Sequence, residues 1–383
     1  MTNAKLGVKN RLGQQLHQLI RSGGFPALSR LAAVDRDQWM ALAAYRGLVQ
    51  QAFERRPFAP QVSSMFWDQG AFHGSGDRKD FFSPARRELE NSSHHYGHDV
   101  QLKRHAGLPL IGSPLPWLLE HGLKVSRCAN FESPQPWARG YLCMGPLRAV
   151  WLRERFGVPA VPIGPWIAYA RSVLPGLEIE ALRQSLGPTL LVVLAHSWDQ
   201  VERRMDWDSC IEAVAATAAE GGYRSVIWLR HWKDPLLDTL PPEWIVASNG
   251  HRSNPWFLDA MRTLLEICDG MASNAFGTHL GYGVALGLRL HWISVDVEQD
   301  LSRMDALKAV EEREEWLTRQ HLSMELAKAL IANKSDHDLS WQIEQSVRQV
   351  LNPFWGFDCI REPQALARIL RPTQKCLEAF QEL

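Results

Sequence analysis

The stretch MASNAFGTHLGYGVALG, Met271 to Gly287, reads as a buried strand, a short polar loop and a helix. A strand over Gly270 to Asn274 ends in Ser273 and Asn274, a helix opens at Thr278, and Gly287 stops it. Amides at a helix start lack intrahelical partners and lie at the positive end of the dipole, so an anion is stabilised there. Gly277 lets backbone approach a phosphate closely. Thr278 offers a cap or a ligand hydroxyl, and His279, in the first turn, is placed to donate to the same group. Gly281 and Gly283 thin the helix face for close packing or close ligand approach. No Gly-Lys-Ser/Thr follows the loop and no GxGxxG is present, so a Walker site and a nicotinamide cofactor have no support. The plainer alternative is a capped helix within a βαβ unit.

Strands alternate with helices on both sides of this stretch, which implies a parallel sheet. TLLVVLAHS (Thr189 to Ser197) is an apolar run ending in polar residues, as a buried parallel strand reads. A helix Cys210 to Glu220 follows, then the strands SVIWLRHW and EWIVASNG, a helix Trp256 to Cys268, and, past Gly287, a strand Leu288 to Val295. Residues Asp296 to Arg348 are charged and helical, and a last helix spans Pro363 to Leu370. Upstream, LPLIGSP and GYLCMG read as strands, Pro116 to Gly122 as a short helix, LRAVWLRERFG as a helix, and VPAVPIGP as a strand. The expected fold is α/β, with two Rossmann-like, doubly wound domains facing a cleft and extra helices at both ends. The expected boundaries are 1–175, 176–345 and a helical 346–383 packing back on the first domain.

At 383 residues the chain suits two domains. Lys plus Arg and Asp plus Glu are both 42, which argues against a nucleic-acid partner. The six cysteines are scattered without a CxxC pair, so neither a disulfide framework nor a zinc site is expected. No apolar run reaches membrane-spanning length, and the start lacks a signal-peptide core, so a cytoplasmic protein is expected. Leu6, Leu12, Leu16, Leu19 and Ile20 nevertheless fall near helical spacing among basic residues. Such a helix suits peripheral contact with the inner membrane surface, or packing on the domain.

Ligands in open parallel sheets sit outside the carboxyl ends of the strands. His196 ends one strand and is a candidate general base or phosphate donor. His231 and Lys233 end the next and suit a phosphate or carboxylate, with Asp234 as a neutraliser or turn cap. Arg252, in the loop before the Trp256 helix, is within reach of a phosphate or base. In the first half, Asp68 and His73 form a polar loop and join His196 as candidates for a catalytic base. The imidazole-dense run His94-His95-Tyr96-Gly97-His98 has no ordered ligand spacing, so no metal is expected.

IGPWIAYA (Ile163 to Ala170), TLLVVLAHS, WLRHWKDP (Trp228 to Pro235), Trp256 to Gly287 and NPFWGFD (Asn352 to Asp358) together resemble GT-B-fold glycosyltransferase-like proteins of bacterial surface-polysaccharide gene clusters. The resemblance covers about half the chain and is most specific at SNxxGTHxGY. It implies a nucleotide-sugar donor in the later domain, with phosphates near Ser273, Asn274, Gly277, Thr278 and His279. It also implies a glycan or lipid-linked acceptor on the earlier domain, and no resident cofactor or metal. A nucleotide-sugar epimerase or hydrolase, and a non-catalytic polysaccharide-assembly partner, are the rival expectations.

Overall fold

The computed structural model describes residues 96–371, apart from 109–114, 121, 128–132, 136–137, 173, 175, 199, 232–233, 235–236, 248, 250–256 and 332–339. The basic N-terminal stretch, Asp68, His73, Lys233, Arg252 and the LPLIGSP run from Pro109 on therefore lie outside the described residues. The described protein is α/β with parallel sheets.

Helix α1 (His98–His105) leads into β1 (Leu118–Leu119), β2 (Tyr141–Cys143), α2 (Pro146–Phe156) and β3 (Ala160–Pro162). The three strands form a parallel sheet in chain order, with Leu118 opposite Tyr141 and Tyr141 opposite Ala160. Pro146 starts α2, and Gly157, with φ of 66°, ends it. The helix expected over Pro116 to Gly122 is strand β1 instead. Leu118 and Leu119 are both fully buried, in the cores on opposite faces of the sheet, and pairing with β2 outweighs local helix preference.

A short 3-10 turn (Trp166–Tyr169) and α3 (Gly176–Leu186) lead to β4 (Thr189–Val192). Then come β5 (Glu202–Arg204), α4 (Trp207–Glu220), β6 (Ser225–Leu229), β7 (Ile245–Ala247), α5 (Phe257–Ile267), β8 (Gly270–Ser273), α6 (Thr278–Ala285) and β9 (Arg289–Trp292). The parallel sheet has the order β7-β6-β4-β8-β9. From β4 the chain winds outward through β6 and β7, then returns to the other side of β4 as β8. The switch point therefore lies between β4 and β8.

Side chains on β4 alternate between two cores. Leu190, Val192 and Leu194 join Cys210, Val214 and Ala218 of α4, whereas Leu191 and Val193 join Leu258, Met261, Leu264 and Leu265 of α5. Both faces are covered by helices, which is why the strand is a continuous apolar run. Each of these leucines and valines contributes about 1.5–3 kcal/mol on full burial.

Two strands break the expected pattern. β5 and β10 (Glu298–Asp300) pair antiparallel, with Glu298 opposite Arg204 and Asp300 opposite Glu202. β10 falls in a segment expected to be helical. Its charged residues carry no hydrophobic period, and the ion pair of Arg204 with Asp300, at 3.7 Å, crosses the ribbon. Helix α7 (Ala306–Ile331) follows, then α8 (Ser340–Trp355) and α9 (Pro363–Leu370). These last helices reach the first sheet. A Cβ on Gly145 would lie 2.2 Å from the Phe354 carbonyl oxygen, and Trp117 Nε1–H donates to the Ile369 carbonyl at 2.8 Å. The two sheets are further joined by a buried fork: Arg104 donates to both Asp259 oxygens, at 2.9 and 2.6 Å, and the Arg171 amide donates to the same carboxylate.

Candidate functional site at the strand ends

The central strands β6, β4 and β8 are neighbours, so the loops leaving their carboxyl ends are neighbours too. His231 follows β6, His196 follows β4, and Ser273 to His279 follow β8. His196 and His231 stack, with ring centroids 4.1 Å apart and planes inclined at 23°. Gly277, Thr278 and His279 are each partly exposed beside them.

Several side chains in this cluster serve the scaffold. Asn274 Oδ1 accepts from the Ala195 amide at 2.8 Å, which ties the loop after β8 to the loop after β4 across the switch point. Ser273 is fully buried, and its Oγ shares a 2.7 Å hydrogen bond with His279 Nε2. The His279 ring therefore folds back over Gly277, where an added Cβ would lie 2.6 Å from the imidazole. Glycine at 277 makes room for that ring. Thr278 Oγ1 accepts from the Leu123 amide at 2.9 Å, so a loop of the first unit touches the start of α6. Its hydroxyl hydrogen can still be donated.

Two arginines that sequence reasoning passed over bring positive charge to the site. Arg203, on β5, donates to the His196 carbonyl at 3.3 Å and lies over the Trp316 ring, 4.8 Å from its centroid. It pairs loosely with Glu312, at 4.0 Å. Desolvation and the Arg319 charge lower the Arg203 pKa to about 10, with Glu312 opposing. Arg319, on α7, donates to the carbonyls of Phe276 and Leu123 and to Glu315. Phe276 immediately precedes the Gly277 N-cap of α6. Glu315, at 2.9 Å, and Glu312, at 4.0 Å, offset part of this charge, and an anion reaching both guanidiniums would relieve the remaining repulsion. In sequence, Arg203 sits in the charged run VERRM and Arg319 in a charged helix. Nothing in either pattern separates them from solvated residues.

His196 and His279 do not add cations. Desolvation lowers His196 to about 4, helped by Arg203 and Arg319 and opposed by a hydrogen bond to the Leu194 backbone. Desolvation likewise lowers His279 to about 3, with His196 and Arg319 acting in the same direction. Both rings are neutral near pH 7 and act as hydrogen-bond donors or acceptors. Asp234 departs the other way. Burial pushes its carboxyl up to about 7, against the His231 amide, which donates to Oδ2 at 2.9 Å, and the Arg230 charge. The site therefore holds a carboxyl poised to exchange a proton near neutrality. The chain matches no protein-family model and no curated protein.

Proposed function

We propose that this protein is a glycosyltransferase that takes a sugar from a nucleotide-sugar donor and delivers it to a glycan or lipid-linked acceptor. On this reading the two sheets are two nucleotide-binding-type domains facing a cleft. The donor phosphates lie between Arg203, Arg319 and the amides that open α6. The carrying observation is Arg319 at that helix start, with Arg203, after the neighbouring strand β4, close enough for the two charges to repel. Fixed charge of this kind stabilises a leaving diphosphate without reorganisation during the reaction. Thr278 donates its hydroxyl to a phosphate oxygen. The neutral imidazole of His196 and the His231 ring stacked on it line the sugar side, and Asp234 accepts or returns a proton there.

Thermal unfolding with CMP, UDP and GDP tests the reading. The matching nucleotide, at 100 times its dissociation constant, is expected to stabilise the native state by about 2.7 kcal/mol. Thr278→Val combined with His279→Ala is expected to reduce that shift in a folded protein. Absence of a shift with all three nucleotides overturns the reading. Rapid epimerisation or hydrolysis of a sugar nucleotide without acceptor would replace transfer with the rival chemistry.

A further inference from the structure

Next to the Arg203–Trp316 contact, the β5–β10 ribbon and α7 line an open pocket of about 630 Å³. That volume is in the range of small-molecule sites. Trp316, Arg313, Glu298, Gln299, Asp300 and Ser302 contribute to its lining. Trp316 is oriented by the Arg203 guanidinium over its ring. Arg204, also on the wall, is occupied: it pairs with Glu202 at 2.9 Å and with Asp300 at 3.7 Å. Asp300 also accepts from the Ser302 amide at 2.8 Å. By contrast, the side chains of Arg313 and Glu298 make no hydrogen bond or ion pair among the described residues. Both are exposed at the pocket.

The chemistry selects one class of ligand. Glu298 and Asp300 balance Arg204 and Arg313, so the pocket has no net field to attract an anion. An indole flanked by an unpaired guanidinium, an unpaired carboxylate and an amide offers an apolar wall and a rim of both donors and acceptors. A sugar ring matches that combination, with C–H groups for the wall and hydroxyls for the rim. We propose that this pocket is a carbohydrate-binding subsite that takes a neutral sugar unit of a glycan. The assignment rests on the pocket's own residues and stands or falls independently of nucleotide binding at the strand ends.

Saturation-transfer NMR on the full chain with maltotriose, cellotriose and chitotriose tests it. At least one trisaccharide is expected to bind saturably. Arg313→Ala combined with Glu298→Gln, which removes no hydrogen bond or ion pair among the described residues, is expected to weaken it by about tenfold or more. Trp316→Ala is expected to abolish the signal, but it also strips the support of Arg203, so the double variant carries the decision. No saturable signal with any of the three sugars overturns the proposal, as does undiminished affinity in the folded double variant.

Discussion

His196 and His231 stack at 4.1 Å although they leave different strands of the sheet. Two charged imidazoliums at that spacing would repel by roughly 4 kcal/mol at an effective dielectric near 20. The stack therefore requires a neutral ring, and His196, with its pKa lowered to about 4, supplies it. Stability is consequently linked to pH. Between about pH 4 and 6.5 the unfolded chain binds protons at His196 and His279 that the native protein does not, so unfolding free energy rises as pH rises through this window. Urea denaturation across this range is expected to show the rise, and His196→Gln to flatten it. An unchanged slope in that variant would remove His196 as a source.

Asp234 acts with the opposite sign. Its native pKa of about 7 lies above its unfolded value, so its contribution is fully present at low pH and is lost as pH rises through 7. Asp234→Asn keeps an oxygen to accept from the His231 amide and removes the titration. The variant is expected to be more stable than the parent above pH 7, with the gap narrowing as pH falls and closing only below the unfolded value of 3.8. If Asp234 moves the proton during transfer, turnover falls in the same variant while nucleotide affinity holds. Calorimetric titration beside a rate assay separates the two effects.

Arg203→Gln is expected to weaken binding of inorganic pyrophosphate or UDP by about tenfold to a hundredfold, the loss of one charge-assisted hydrogen bond of about 1.5–3 kcal/mol. Arg319→Lys keeps the charge but cannot hold the Phe276 and Leu123 carbonyls and Glu315 together as a guanidinium does. It is expected to lower both affinity and urea midpoint, whereas Arg203→Gln lowers affinity chiefly. Isothermal titration with both variants checks the order.

Gly281 lies under the Trp355 ring, where an added Cβ would sit 2.2 Å from the indole. Trp355 is fully buried and donates from Nε1 to the Thr278 carbonyl at 3.2 Å. Gly281→Ala is therefore expected to cost about 1–3 kcal/mol by overpacking and to disturb the start of α6 with it. A lowered urea midpoint and weaker nucleotide binding are the expected pair of changes. Gly157→Ala, at the left-handed end of α2, serves as the remote comparison: it is expected to destabilise without touching ligand affinity.

Much of the later sheet was legible along the chain. The apolar runs at Thr189, Ser225 and Gly270 are strands because both faces of the sheet are covered. The glycine and proline punctuation at Gly287 and Pro363 marks the helix ends. The charged ribbon of Glu202–Arg204 and Glu298–Asp300 was not legible, because its stabilising partners are a hundred residues apart in sequence and carry no period. Strand β1 was missed for a related reason: two leucines have no periodicity until β2 lies beside them.

The residues of the candidate site divide along the same line. Local sequence determines that a polar loop follows β8, that a helix opens at Thr278 and that histidines end two of the strands, because these depend on patterns a few residues long. Only the tertiary structure decides that His279 turns inward to Ser273, that His196 is neutral, and that Arg203 and Arg319 provide the charge. Desolvation and electrostatic coupling depend on what packs around a group, and here that packing comes from β5, α7 and the loop at Leu123, all distant along the chain.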